Sequence, residues 1–294
     1  MKANCTVMET GMSKTILITG ATDGLGLATA RELAGLGHRV LVHGRNADKL
    51  DAARQELQGI DGGGPVETFQ ADLSELEGVD ELVTRLTNRK GRLDVVINNA
   101  GVFRLPGDTL NRAGIDLRFF VNMIAPYRLT RLLLPLMPAD GRVINLSSAA
   151  QAAVDLDAVI GRVRLEDGEA YAQSKLGLTM WSAWLAGLVG RNGPAILAVN
   201  PGSFLQTKMV RDAYGVAGNS IEIGVDVLVR AALDDRFERA TGRYFDNDQG
   251  RFAAPHADAM DDDKQARLVD LLNAVLARLG GNTDLADTPS APVN

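Results

Sequence analysis

The chain has 294 residues, 46% hydrophobic and 23% charged, a balance that suits a globular protein with ample material for a large core. Its 31 basic against 37 acidic side chains, a net charge of -6, offer no basic footprint for nucleic acid. The single cysteine, Cys5, rules out an intrachain disulfide and fits a reducing cytoplasm, and no stretch reaches the roughly 20 apolar residues of a membrane helix.

Residues 1–13 lack the basic start and long apolar core of a signal peptide and are expected to be a disordered extension. The short apolar run Ile16-Leu17-Ile18 then meets Thr19-Gly20-Ala21-Thr22-Asp23-Gly24-Leu25-Gly26, followed by the helical pattern Leu27 to Leu33. This reads as strand, glycine turn, helix. Glycines at 20, 24 and 26 allow a tight turn, close approach to a phosphate and close helix–strand packing, and the helix N-terminus offers N–H groups to a dinucleotide pyrophosphate.

A second strand, His38 to His43, ends at Gly44 and Arg45, where an NAD-binding chain would carry a carboxylate for the adenosine ribose. Arginine in its place suits the extra phosphate of NADP, so NADP is expected in preference to NAD. A helix over Ala47 to Leu57 leads, through the loop Asp61 to Pro65, to a third strand, Val66 to Gln70, and Ala71-Asp72-Leu73. Leu76 to Leu86 repeats at helical spacing, and Leu93 to Ile97 suits a strand buried on both faces, ending in Asn98-Asn99-Ala100-Gly101.

A long helix is expected from about Asp116 to Leu134, a fifth strand over Arg142 to Leu146 ending in Ser147-Ser148, and a loop over 149–170. The next helix, Tyr171 to Val189, carries the uncharged stretch Leu176 to Gly190 with Trp181 and Trp184, read as a buried helix. A sixth strand, Pro194 to Val199, ends in Asn200-Pro201-Gly202. Residues 203–240 form a substrate-side loop and helix region, Gly242 to Phe245 adds a seventh strand, and Asp261-Asp262-Asp263 opens a last helix ending at Gly280-Gly281. Strands alternating with helices imply an α/β fold, one doubly wound parallel sheet of about seven strands with helices on both faces, over residues 14–279; 280–294 are expected to be a disordered tail.

Tyr171 and Lys175 lie four residues apart on one helix and face the same way, with Ser148 within reach from the neighbouring strand end. A phenol titrates near pH 10 and is a poor base at neutral pH unless an ammonium one turn away stabilises its anion. With these residues and the glycine turn in place, the sequence resembles the short-chain dehydrogenase/reductase family, in the branch of the retinol dehydrogenase-like bacterial oxidoreductases. The matching elements are Thr19-Gly20-x-x-x-Gly24-x-Gly26, Asp72-Leu73, Asn98 to Gly101, Asn122, Ser148, Tyr171 with Lys175, and Asn200-Pro201-Gly202.

The resemblance implies a Rossmann fold and hydride transfer between a nicotinamide cofactor and a carbonyl or alcohol carbon. It makes Tyr171 the general acid/base, Lys175 its activator and a holder of the nicotinamide ribose, and Ser148, rather than Ser147, the hydrogen-bond partner of the substrate oxygen. It has Asn122 kink its helix and hold a proton-relay water. Cofactor contacts are implied at Gly20, Thr22, Asp23, Gly24, Leu25, Gly26 and Arg45, at Asp72 and Leu73 beside the adenine, and at Asn99, Ala100 and Gly101. Tyr171, Lys175, Pro201 and Gly202 complete the set at the nicotinamide. Thr207 falls near the expected carboxamide partner, one residue further along than the commonest spacing.

The interval from Ser148 to Tyr171 is longer than the family's common one, and its loop is either a solvated excursion or a substrate gate. The rival functions are a sugar-nucleotide epimerase and a non-catalytic NADP-sensing module; the former needs a larger C-terminal domain, the latter typically lacks Tyr171 or Ser148. Phe103, Arg104, Gln151, Phe204, Leu205, Met209 and Tyr214 are candidate substrate contacts. His38, His43 and His256 have no metal-ligand spacing, so no metal is expected. Family resemblance and the uncharged helix face after Tyr171 also imply a homodimer or homotetramer.

Overall fold

Ile16, Leu17 and Ile18 are all wholly buried, Leu17 in one apolar cluster and its two neighbours in another, because a strand covered on both faces has no polar side. The computed structural model describes residues 13–207, 211 and 218–281. Cys5, Met209, Tyr214 and most of both expected tails lie outside the described residues.

The strands are β1 (Thr15–Ile18), β2 (Arg39–Gly44), β3 (Val66–Gln70), β4 (Val95–Asn98), β5 (Arg142–Leu146), β6 (Ala195–Asn200), β7 (Tyr244–Asp246) and β8 (Arg251–Ala253). They form one sheet in the order β3-β2-β1-β4-β5-β6-β7-β8, parallel except for β8 against β7. The strand order reverses between β1 and β4, and in such sheets the crevice outside that switch receives ligands.

On one face pack α1 (Gly24–Gly35), α2 (Ala47–Gln58) and α8 (Glu222–Leu233); on the other pack α3 (Leu76–Asn88), α4 (Leu117–Phe119), α5 (Ala125–Leu133), α7 (Asp167–Val189) and α9 (Asp262–Arg278). Helix ends follow local chemistry: Asn46 caps α2 by accepting from Lys49 N at 2.9 Å, and Asp261 caps α9 by accepting from Lys264 N at 3.0 Å. None of the helices among the described residues is long and apolar enough to cross a membrane.

Four details differ from or refine the expectations. The sheet has an eighth strand, because the turn after β7 folds Arg251–Ala253 back as a short edge whose Phe252 packs on Phe245 at 5.1 Å. The long helix of Asp116 to Leu134 is interrupted: α4 and α5 are joined by a π-helical turn, Phe120–Ile124, centred on Asn122. The loop 149–170 is not a simple solvated excursion, since it contains α6 (Leu156–Val159), and Ala158 and Val159 are buried in the core. Fourth, α7 starts four residues before Tyr171, and part of its apolar face is covered within the chain. Trp181 is wholly buried against Tyr127, and α9 lies along α7 with Leu268 and Leu272 wholly buried. Asn273 of α9 accepts from Tyr127 Oη at 3.0 Å and from Arg131 Nη1 at 2.7 Å, while Trp184 is partly buried and Leu188, further along α7, is exposed.

Candidate active site

The glycine turn after β1 is pressed against the end of β4. Asn99 Nδ2 donates to the carbonyls of Thr19 (2.8 Å) and Gly20 (3.0 Å), and Ala100 N donates to Thr19 Oγ1 at 3.0 Å. Gly20 has φ +64° and a Cβ there would stand 2.9 Å from Ala100 Cα; one on Gly26 would stand 2.4 Å from Asn99 Nδ2 and 2.5 Å from Gly20 O. Side chains would therefore clash across the seam, and the glycines are dictated by contact.

Beside the seam opens a cavity of about 710 Å³ lined by the ends of the parallel strands. Gly20, Thr22, Asp23, Gly24, Leu25, Gly26, Arg45, Asp72, Leu73, Asn99, Ala100, Gly101, Ser148, Tyr171, Lys175, Pro201, Gly202 and Thr207 all border it. Asn122 stands behind this lining: it accepts from Val102 N at 2.8 Å and donates to Val102 O at 2.9 Å and Ser174 Oγ at 3.0 Å. Of the candidate substrate contacts, Phe103, Phe204 and Leu205 line the cavity. Arg104 does not, and neither does Gln151, whose amide instead donates to Ser148 O at 3.1 Å.

A Cβ on Gly44 would stand 2.4 Å from Thr22 Cγ2, so the glycine is there for packing. Thr207 lies across the cleft from the glycine turn, its Cγ2 3.9 Å from where a Gly24 Cβ would be, so it closes over the turn.

At the other end Lys175 is buried, and its Nζ donates to Leu146 O at 2.7 Å and lies 5.6 Å from the centre of the Tyr171 ring. Burial lowers its ammonium from 10.5 to about 8, so it stays mostly charged at neutral pH. Both serines border the cavity, but Ser147 is buried with its Oγ 2.7 Å from Thr179 Oγ1, whereas Ser148 is half-buried and its Oγ accepts from Ala150 N at 3.1 Å.

A glycine seam for a dinucleotide at one end and a tyrosine, lysine and serine at the other share one cleft. A family profile described as short chain dehydrogenase matches residues 14–215. This chain belongs to that family. Its enzymes act on alcohol and carbonyl groups with a nicotinamide cofactor. The chain is 30% identical to human retinol dehydrogenase 13, covering 86% of this chain and 82% of that protein. It is 35% identical to DnrU of Streptomyces, named for daunorubicin C-13 ketoreduction, over 84% and 88% of the two chains. Among solved structures, the angucycline C-6 ketoreductase LanV with bound NADP superposes with a TM-score of 0.63 at 28% identity, covering 80% of this chain and 93% of that one.

Several supporting residues of the dehydrogenase escaped sequence reasoning. Lys49 lines the cavity beside Arg45 and pairs with Asp23 at 3.0 Å, a cation hidden in an ordinary helix pattern. Asp248, in the turn between β7 and β8, accepts from Ser203 N at 2.8 Å and Asn200 Nδ2 at 2.9 Å, holding the strip that follows β6. His43 has the clearest signal in retrospect, a polar side chain in a buried strand. Its Nδ1 accepts from Gly20 N at 3.2 Å, so the ring carries its hydrogen on Nε2 and donates to Ala71 O at 3.1 Å.

Burial lowers His43 from 6.5 to about 4, and the Ala71 bond and Asp72 offset this only in part. Between those values the unfolded chain binds a proton that the native fold refuses, so stability present above pH 6.5 is lost as pH falls toward 4. The linkage amounts to about 3 kcal/mol. Urea unfolding of wild type and His43→Gln between about pH 7 and 4.5 is expected to show a shallower pH slope in the variant; parallel slopes would contradict a buried, neutral His43.

Proposed function

We propose that the chain catalyses hydride transfer between NADP and the carbonyl, or the secondary or primary alcohol carbon, of a bulky, apolar, uncharged substrate. Tyr171 is the acid/base. The observation that carries this reading is Tyr171, Lys175 and Ser148 bordering one cavity with the glycine seam. A bound nicotinamide supplies or accepts the hydride. The chain's own groups manage the proton: in reduction the Tyr171 hydroxyl gives it to the substrate oxygen, and the charged Lys175 steadies the phenolate left behind. Ser148 holds that oxygen, since its Oγ takes a hydrogen bond from Ala150 and keeps its own hydrogen to donate. Both amide hydrogens of Asn122 are used by Val102 and Ser174, so a water in its proton path would donate to Oδ1 or to the backbone carbonyl.

Asp72 and Leu73 border the adenine, Asn99 to Gly101 the adenosine ribose side, Tyr171 and Lys175 the nicotinamide ribose, and Pro201 and Gly202 the nicotinamide. Arg45 receives the phosphate that distinguishes NADP from NAD, and Lys49 adds a second cation. The Lys49–Asp23 pair is half exposed and worth little by itself, so exchanging the carboxylate for a phosphate costs little. The NADP bound to LanV agrees with this choice.

Polarity divides the cleft. Among the described lining residues, Asp23, Arg45, Lys49 and Asp72 gather at the ends of β1 to β3, and Lys175 is the one charge near Tyr171. Around the reacting end stand Val102, Phe103, Leu105, Leu117, Phe204 and Leu205. A sugar nucleotide would need cations there for its diphosphate, which disfavours the epimerase reading. Phe204 holds a left-handed backbone (φ +52°), a strained conformation for a residue with a side chain, at the cavity edge. The retinol, daunorubicin and angucycline named in the relatives are bulky molecules of the kind such a cleft would take.

Titration of NADPH and NADH is expected to show tighter NADPH binding, reduced roughly tenfold to a hundredfold in Arg45→Asp, the worth of a charge-assisted bond. Equal or tighter NADH binding by the unmodified chain would overturn the cofactor choice. In NADPH-linked reduction of a panel of apolar ketones and quinones, Tyr171→Phe is expected to lose about 10² to 10⁴ in turnover while still binding NADPH. Turnover comparable to wild type would sink the acid/base assignment.

A further inference from the structure

Arg118 is a charged side chain only 2% exposed, and nothing in the reaction described above uses it. Its guanidinium is held in a fixed fork. Nε donates to Asp116 Oδ1 at 2.8 Å and Nη2 to Asp116 Oδ2 at 2.6 Å, a bidentate pair, while Nη1 donates to Asp167 Oδ1 and lies 3.5 Å from Phe103 O. Those three partners belong to three segments: the start of α4, the chain beyond β4, and the first residue of α7.

Each segment bears on Tyr171. Asp167 and Tyr171 are four residues apart on α7 and share a face. The Phe103 ring packs on the Tyr171 ring, centre to centre 4.6 Å and tilted 46°. The neighbouring Val102 is held by Asn122, which also donates to Ser174 Oγ, and Ser174 Oγ donates to Tyr171 O at 2.7 Å. The N-terminus of α7, moreover, has no side-chain cap: Glu166 precedes the helix without accepting from its free N–H groups. An uncapped helix end frays within a turn, and one turn is the distance from Asp167 to Tyr171. An ion pair from the buried Arg118 to the half-exposed first residue supplies the restraint that the missing cap leaves undone.

We infer that Arg118, acting through Asp167 and Phe103, is a positioning residue that fixes the first turn of α7 and hence the place of the Tyr171 ring in the cleft. The catalytic part of this inference rests on the acid/base reading of Tyr171. Lysine cannot replace the arginine, because a single ammonium on a flexible stem does not span a bidentate carboxylate and a second acceptor. Removing Arg118 outright strands the buried Asp116 carboxylate and endangers folding. Asp167, with its side chain 44% exposed, can be removed while the Arg118–Asp116 pair stays intact.

The test is made on the full-length chain labelled with 3-fluorotyrosine, the Tyr171 resonance being assigned by its loss in Tyr171→Phe. In Asp167→Ala that resonance is expected to shift and broaden while that of Tyr127, buried beside α9, stays in place. NADPH affinity stays within about twofold, turnover of 9,10-phenanthrenequinone falls at least tenfold with an unchanged KM for NADPH, and Asp167→Glu restores both signals. An unmoved Tyr171 resonance overturns the proposal, as does a parallel loss of NADPH binding, which would mean a general loss of structure. Full turnover by Tyr171→Phe would overturn the acid/base reading instead, and is read from a different variant.

Discussion

The arrangement depends on the seam between the turn after β1 and the end of β4. Two strands that diverge in connection order meet there, and Asn99 spends its amide on the carbonyls of Thr19 and Gly20. Once this contact is made, a side chain at 20 or 26 has nowhere to go, the N-terminus of α1 points into the crevice, and His43 must stay neutral to accept from Gly20 N. In the proposed reading, the same closeness that excludes side chains would let a phosphate reach the N–H groups of the turn, so cofactor recognition and sheet topology would be one constraint seen from two sides.

Charge is distributed with equal economy. The cleft keeps its exposed charges where β1 to β3 end and buries one ammonium, Lys175, beneath Tyr171. Burial weakens that ammonium to about 8, so it is charged at neutral pH yet close to the point of giving way. Beyond it the wall is apolar, an environment in which electrostatic interactions are stronger than in water. Behind the wall, Arg118, Asn122, Gln151 and Asp248 hold the lining by hydrogen bonds.

Much of this was legible in the chain. The parallel strands announced themselves as apolar runs because both faces are covered, and Val66–Gln70 and Arg142–Leu146 match the reading residue for residue. The glycine turn and the Tyr171–Lys175 spacing were readable because local geometry alone dictates them. What escaped was decided at long range. The eighth strand is three residues of an exposed edge with no periodic signal. The π-helical turn leaves the helical apolar pattern intact, so composition does not betray it, and only the family resemblance pointed to a kink at Asn122. Lys49 and His43 look like a surface lysine and a strand residue until the fold brings 23 against 49 and 20 against 43. The uncharged face of α7 was legible as apolar, but which element covers it depends on where α9 docks.

In the proposed reaction a hydride passes from cofactor to carbonyl carbon while the oxygen takes its proton through Tyr171. The most direct measurement uses NADPH dideuterated at C4 with an apolar aryl ketone in ordinary water, the alcohol being analysed by mass spectrometry. The account predicts one deuterium on the carbinol carbon for each cofactor oxidised, and a solvent proton on the oxygen. Cofactor oxidation without labelled alcohol, or alcohol formed without the label, would contradict it.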